Sequence, residues 1–520
     1  MAAAAVLWAL LWVLLPVWSD AAPSSDNVEQ LVWSQGFELG YHKHPPLPTW
    51  ILIAAEQFFR PSLALTYALS IVGMLIGAAF LWRLVRELLG RSAAHAAVLA
   101  TGCIAFYSYR AHIFNHNTVL IPFVYASAWA FLRAVRTGKA SYWALVGVLT
   151  AGGLLTKYQF AVVLATFALI GVRLKLYRQP QAVRGALLAA GIAVLLLGPH
   201  IFWLVANDFP PLRYAGQTML AHLGAADRAG LTAGFLLQQI RDALIVVVML
   251  ILAAALAWRQ NAALRSKLVV FPLRAGTREW ILILGFAPLA LMVAVGLVGG
   301  VRLENHWGTT ALQFAALPVL LWMRQRRVIP SPATVIAVFF LVQGVEAGYD
   351  ISVEARDRSV TLNHGRVRAF DAHALARAVN QDWERATSDS AQGHAEAPAR
   401  SDGPTRTPLQ AAALIPSRAP LRFLVGSTTW SGFVSLYSPD HPQVLISGNP
   451  QASPWVSLES VRVCGAVYFE PIRPPAGAAV RVRGDWVAVD YSNAGRGQPL
   501  HIRWAVVPPG PECRDRQPSS

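Results

Sequence analysis

An acidic residue, Asp26, stands just beyond the first apolar run of the chain, and Tyr41-His42-Lys43-His44-Pro45-Pro46 follows in the same loop. A carboxylate can take a proton from a hydroxyl and act as general base. Lysine and arginine can stabilise negative charge that grows on a departing phosphate. Aromatic faces can hold an apolar or sugar ligand. The same residue types recur in later loops as Arg110, His112, Asn115, His116 and Asn117, then Lys157 and Tyr158. They recur again as Asp208, Arg213, Tyr214 and His222, and finally as Arg302, Glu304, Asn305, His306 and Trp307. A carboxylate among cations and aromatics fits group transfer from a phosphate-linked donor at a membrane surface.

The elements that must position these residues are apolar. Of 520 residues, 55% are hydrophobic and only 14% are charged, against about 25% charged in soluble domains. A polytopic helical membrane protein is expected. Residues 1–18 are apolar from the start and lack the basic n-region of a cleaved leader, so they read as a first transmembrane helix clipped at its beginning. Further runs of spanning length lie at 63–82, 93–109, 118–132, 141–156, 159–172, 185–205, 231–257, 280–300, 308–323 and 331–348, giving about eleven spans.

Basic residues mark alternate gaps. Arg83, Arg86 and Arg91 follow the second span; Arg133, Arg136 and Lys139 the fourth; Arg173, Lys175, Arg178 and Arg184 the sixth. Arg259, Arg265, Lys267, Arg274 and Arg278 follow the eighth, and Arg324, Arg326 and Arg327 the tenth. Short loops rich in Lys and Arg face the cytoplasm, so the loops at 19–62, 110–117, 157–158, 206–230 and 301–307 face outward. All the candidate residues lie in those outward loops. The net charge of +16 is explained by this distribution, and no nucleic-acid-binding motif accompanies it.

The last span carries the chain outward, placing 349–520 outside. Residues 349–420 form a connecting segment, with a helix-like stretch from Phe370 to Arg385 and a linker rich in Ser, Ala, Pro and Gly over 385–420. From 421 onward, short β-type runs at 422–425, 443–446, 461–463, 479–482 and 502–505 predict a small α/β or mostly β domain. Cys464 and Cys513 either pair there or remain free thiols. Cys103, within an apolar run, reads as core.

Each candidate also has a plain reading. Asp26 suits a helix N-cap. His112 and His116, spaced i and i+4, suit a metal on one helix face or ordinary interfacial hydrogen bonding. Lys157 could snorkel to headgroups, although its outward position opposes the charge bias. Glu304 can simply pair with Arg302. Pro45-Pro46 stiffens a loop, Asp208-Phe209-Pro210-Pro211 reads as a turn, and Trp33 and Trp50 suit interfacial anchors.

The pattern Asp26, Ser34-Gln35-Gly36, Gly40-Tyr41 and His44-Pro45-Pro46-Leu47 resembles the first external loop of the GT-C glycosyltransferases. The nearest set is the protein-mannosyltransferase-like group, with the lipid A aminoarabinose transferases and the lipopolysaccharide-core galacturonosyltransferases. Phe114-Asn115-His116-Asn117-Thr118, Gly153-Leu154-Leu155-Thr156-Lys157-Tyr158 and His306-Trp307 follow in family order. The resemblance covers about residues 1–350. It implies a polyprenyl-phosphate-linked sugar donor and inverting transfer on the periplasmic side. Asp26 would then be the base that activates the acceptor. Lys157 would face the donor phosphate, with Arg302 and His306 near it. Tyr41, His42, Lys43, His44, His116, Asn117, Tyr158 and Trp307 would line the substrate site.

Two positions depart from the family. Asn27 follows Asp26 where many relatives carry Glu, and Asn117 stands where many carry a second Asp. A divalent cation held by two carboxylates is therefore disfavoured, and no cofactor is assigned. The expectation is a bacterial inner-membrane glycosyltransferase, with a GT-C-like membrane domain at 1–348, a connecting segment at 349–420 and a periplasmic domain at 421–520. Its partners are the lipid-linked donor, an envelope lipid, glycan or protein acceptor, and the bilayer, but no nucleic acid. The rivals are a non-catalytic GT-C-like scaffold and a transporter of a lipid or sugar. A transporter should carry its polar residues within the spans, whereas here they gather in loops.

Overall fold

The computed structural model describes residues 2–19, 24–219, 224–260, 273–326, 332–356, 371–392, 419–490 and 498–515. His222, Arg265, Lys267, Arg327, Phe370 and most of the predicted linker lie outside the described residues. The chain divides into two compact units. The first comprises 1–19, 38–55 and 64–353; the second comprises 20–37, 56–63 and 354–520.

The first unit is helical. Among the described residues, six helices are long and apolar enough to cross a membrane: Leu63–Leu89, His116–Thr137, Pro180–Ala206, Ala225–Leu256, Thr277–Gly299 and Pro332–Tyr349. The remaining runs predicted as spans form shorter helices. Ala2–Trp18, Ala140–Thr156 and Tyr158–Arg173 fall below 18 residues. The 93–109 run becomes a helix over Arg91–Thr101 and a 3-10 turn at Ala105–Tyr107, and the 308–323 run breaks into Gly308–Ala311 and Ala316–Gln325. At about 1.5 Å per residue, these pieces are shorter than the six long helices.

Packing inside this unit is tight. Trp143 of the Ala140–Thr156 helix lies directly on Gly185 of the Pro180–Ala206 helix. The N-terminal helix is tied in by a polar link: the Trp12 indole donates to Gln343 Oε1 at 2.7 Å, and Gln343 Nε2 donates to the Gly102 carbonyl at 3.1 Å. Buried polar groups of apolar helices need such partners, because no water is at hand to satisfy them. Cys103 is buried and free, as core.

The second unit holds a five-stranded mixed sheet in the order β2-β1-β3-β5-β4. Its strands are β1 (Phe423–Gly426), β2 (Gln443–Ile446), β3 (Ala466–Phe469), β4 (Val482–Asp490) and β5 (Gln498–Val507). β1 runs parallel to β2 and β3, and β5 runs antiparallel to β3 and β4. The helix expected to end at Arg385 spans Ala372–Gln392, so the first residues of the predicted linker are helical. That helix is pinned by Trp504 Nε1 donating to Asp382 Oδ2 at 3.0 Å and by Ser438 Oγ donating to Asn380 Oδ1 at 2.9 Å.

One predicted strand is a helix. Val461-Arg462-Val463 lies within Leu458–Cys464, capped by Ser457, whose side chain accepts from Ser460 N. The buried residues Val461 and Cys464 are spaced i and i+3, which a helix puts on one face. Cys464 and Cys513 form a disulfide, with Cα atoms 4.8 Å apart. The run expected at 479–482 reaches the sheet only at its end, where Arg481 N donates to the Val506 carbonyl at 3.0 Å and β4 begins at Val482.

A helix of the first loop packs on a later helix of the second unit. Ser25–Trp33 buries Val28, Leu31, Val32 and Trp33, and Val28 rests on Gly432 of the Thr428–Tyr437 helix. Residues 24–37 are thus an integral layer of the second unit, although about 400 residues separate them from the strands that they meet.

Candidate active site

The site of the first unit is built on three helix ends. Lys157 is the C-cap of Ala140–Thr156, where a cation meets the negative end of the helix dipole. Asn115 caps the His116–Thr137 helix through a capping box with Thr118, which fixes the direction of His116 and Asn117. Tyr158 opens the short turn after Lys157.

These ends converge. Lys157 Nζ donates to Asn117 Oδ1 at 2.6 Å and lies 5.3 Å from the centre of the Trp307 ring. Gln159 Nε2 donates to the Trp307 carbonyl at 3.2 Å, joining the 157–160 turn to the 305–307 turn. His116 Nε2 donates to the Pro45 carbonyl at 3.2 Å, and its ring lies 4.2 Å from that of His44. Pro45-Pro46 therefore presents an acceptor as well as stiffness. Tyr41 is buried, and its amide donates to the His44 carbonyl at 3.1 Å, closing a tight turn around His42 and Lys43. Lys43 Nζ lies 5.7 Å from the Tyr214 ring centre.

The electrostatics are one-sided. Burial, with help from the Lys43 charge, pushes His42 down to about 4. Burial pushes His44 well below the usual histidine range, and His116, Lys157 and Lys43 add to the effect. Both imidazoles are neutral at pH 7, which leaves the positive charge of this cluster on Lys43 and Lys157. Asn117 is the telling position: a neutral amide, not a carboxylate, accepts the hydrogen bond of the Lys157 ammonium there.

Sequence reasoning missed His200. Tyr158 Oη and His200 Nε2 are 2.9 Å apart, and His200 Nδ1 is 2.7 Å from the Leu39 carbonyl. A carbonyl only accepts, so His200 carries its proton on Nδ1 and the Tyr158 hydroxyl donates to Nε2. Trp203 stacks on His200 at 5.9 Å and covers Gly40, where a Cβ would sit 2.4 Å from the indole. This explains the glycine of the Gly40-Tyr41 motif. An ionisable residue inside an apolar span is a functional signal that attention to loops alone passes over.

Asp26 lies in the second unit, in the first turn of Ser25–Trp33; the N-cap is Ser24, so the N-cap reading of Asp26 is corrected. Arg302 is exposed and pairs with Glu304 at 3.7 Å. His306 is part of the Asn305–Trp307 turn, and its carbonyl accepts from Thr309 Oγ1 at 2.9 Å. His112 and His116 do not share a helix face, because the helix begins at His116; the His112 ring packs edge-on against Tyr67 at 5.1 Å. Asp208 and Phe209 form the expected turn, both with positive φ, ahead of a helix over Pro210–Met219.

The dolichyl-phosphate-mannose-protein mannosyltransferase family model matches residues 43–203. The lipopolysaccharide core galacturonosyltransferase RgtB of Rhizobium johnstonii is 29% identical over 195 residues, 36% of this chain and 39% of the relative. RgtA of the same organism, also a lipopolysaccharide core galacturonosyltransferase, is 28% identical over 379 residues, 68% of this chain and 66% of the relative. The chain thus spans between 39% and 66% of the length of these two relatives. A crystal structure of ArnT from Cupriavidus metallidurans bound to undecaprenyl phosphate aligns with a TM-score of 0.49 at 14% identity, over 96% of this chain and 97% of that one. The family match and the curated relatives bear out the resemblance of this chain to the GT-C glycosyltransferases of the protein-mannosyltransferase-like group.

Proposed function

We propose that the chain is an inner-membrane glycosyltransferase that moves a sugar from a polyprenyl-phosphate-linked donor to a hydroxyl of an envelope acceptor on the periplasmic face. The observation that carries this reading is the Lys157 ammonium, held at a helix end by the neutral Asn117 amide and the Trp307 ring. A lysine held in place beside neutral imidazoles suits the charge that develops on a departing phosphate. The family name, with its dolichyl-phosphate-mannose donor, supports a lipid-phosphate leaving group. The relatives support a sugar acid as the transferred group and lipopolysaccharide as the acceptor.

In this reaction the acceptor O–H proton passes to the Asp26 carboxylate. The freed oxygen pair forms a bond to the anomeric carbon, the bond from that carbon to the phosphate oxygen breaks, and polyprenyl phosphate leaves with the pair. One displacement inverts the anomeric centre. Lys157 takes up the phosphate charge, with Arg302 and His306 as further contacts. Tyr41, His42, Lys43, His44, His116, Tyr158 and Trp307 line and orient the substrate.

The test is mass spectrometry of envelope lipids, lipopolysaccharide and glycoproteins from a deletion strain, beside strains complemented with the wild type or with Asp26→Asn. A uronate- or hexose-sized mass that disappears on deletion and stays absent with Asp26→Asn supports the reading. Its return with Asp26→Asn removes Asp26 as base. No glycan difference in any strain favours the scaffold or transporter.

A further inference from the structure

The second unit contains its own cleft, of about 560 Å³, within the range of about 300–1,000 Å³ that small-molecule sites occupy. Leu31, Val32, Leu436 and Pro61 give it apolar walls, and Ser34, Gln35, Glu56, Arg60, Ser435 and His441 give it polar edges. The framework is rigid. Gln35 Nε2 donates to Ser435 Oγ at 2.9 Å and to the Pro442 carbonyl at 3.2 Å, while Gln35 Oε1 accepts from Val444 N at 2.9 Å. Gly36 lies against Trp455, where a Cβ would meet the side chain at 2.5 Å. The Ser-Gln-Gly motif of the first loop is thus spent on building this wall.

One edge is reactive toward hydrogen-bonding ligands. Ser34 Oγ donates to Glu56 Oε1 at 3.0 Å. Burial raises the Glu56 carboxyl to about 7, against the opposing pull of Ser34. Near neutrality it can therefore both donate and accept. Arg60 supplies further donors. A group with many hydroxyls finds donors, acceptors and an apolar wall together. Phe58 and Phe59 of the same segment are 83% and 63% exposed. They stand just before the membrane-crossing helix that starts at Leu63, where aromatic residues suit the lipid interface.

We propose that this cleft is an acceptor subsite that holds a saccharide unit of a membrane lipid, with Glu56, Arg60 and Ser34 contacting its hydroxyls and Leu31, Val32 and Leu436 its apolar face. The proposal rests on the glycosyl-transfer reading and names the chemistry of its acceptor. Glu56 and Arg60 are specificity-determining residues here, not catalytic ones.

The experiment uses the full chain in nanodiscs. The probes are rough lipopolysaccharide in phospholipid vesicles and its core oligosaccharide freed of lipid by mild acid. Binding is measured for the wild type, Asp26→Asn, Glu56→Gln, Glu56→Leu, Arg60→Ala and Leu436→Trp, with thermal melting as a check on folding. The expected result is binding by the wild type and Asp26→Asn alike. Leu436→Trp, Glu56→Leu and Arg60→Ala should weaken both probes at least tenfold, and Glu56→Gln less than threefold. In turnover assays the acceptor KM should rise with the donor KM unchanged. The proposal is overturned if folded Leu436→Trp and Arg60→Ala bind either probe as the wild type does, or if the donor KM rises equally. Because binding is read separately from turnover, loss of the transferase reading leaves a distinct pattern: saccharide binding that depends on Glu56 without any Asp26-dependent product.

Discussion

One loop of this chain serves two regions of opposite character. Residues 38–55 belong to the first unit and bring Lys43 and two neutral imidazoles, His42 and His44, to a cluster with Lys157. Residues 24–37 and 56–63 belong to the second unit and bring hydroxyl, amide and carboxyl groups to a cleft. In the first region burial suppresses positive charge on histidine, leaving lysine as the cation. In the second, burial suppresses negative charge on Glu56. Under the proposed function, the contrast separates two tasks of glycosyl transfer: stabilising a leaving anion and recognising a hydroxyl-rich acceptor.

The comparison can be broken most sharply at the chemistry. Asp26→Asn should lower turnover by about 10²–10⁴-fold, the usual contribution of a general base, with donor binding retained in an equilibrium assay. Retained turnover would leave the two regions without a base. Lys157→Met should lower kcat by about 10²–10³-fold, comparable to losing one preorganised donor, whereas cleft variants such as Glu56→Leu should act on the acceptor KM. An equal effect of both on one kinetic constant would erase the distinction between the regions.

Smaller effects sharpen it. Gln35→Ala removes three hydrogen bonds inside the second unit and should destabilise it by about 1–3 kcal/mol, read as a shift in the denaturation midpoint of the full chain. The pH dependence of that midpoint should carry two opposite signatures. Glu56 holds its proton more tightly when folded, at about 7 against 4.5. Its contribution is thus present in full below 4.5 and lost as pH rises through 7. His42 holds its proton less tightly when folded, at about 4 against 6.5. Its contribution is present above 6.5 and lost as pH falls through 4. Glu56→Gln should remove the first signature and leave the second.

What the sequence revealed followed physical range. Loop motifs named the cluster residues, because cations and aromatics in loops stand out against an apolar background. Lys157 and Asn117 were marked by motif, but their 2.6 Å contact joins residues far apart in the chain. His200 was hidden inside an apolar run, and Glu56 sat unremarked at the end of the Leu47–Glu56 helix. Four of the five β-type runs contribute to strands. The fifth, at 461–463, failed because a short alternation of Val and Arg suits a capped helix equally well. Apolar runs marked helices reliably, yet hydropathy alone could not separate a full span from shorter helices such as Ala140–Thr156.

The link between Gln35 and Ser435 also has a consequence for biogenesis. These partners are 400 residues apart. At about 5–20 residues per second, the ribosome needs roughly 20–80 s to deliver the second after the first. Throughout that interval the apolar face of Val28, Leu31, Val32 and Trp33 has been synthesised but lacks the helix and strands that finally cover it. The nascent chain must therefore shelter this segment, by lipid or chaperone, and a ribosome stalled before the last hundred residues leaves an exposed apolar helix as a mark for quality control.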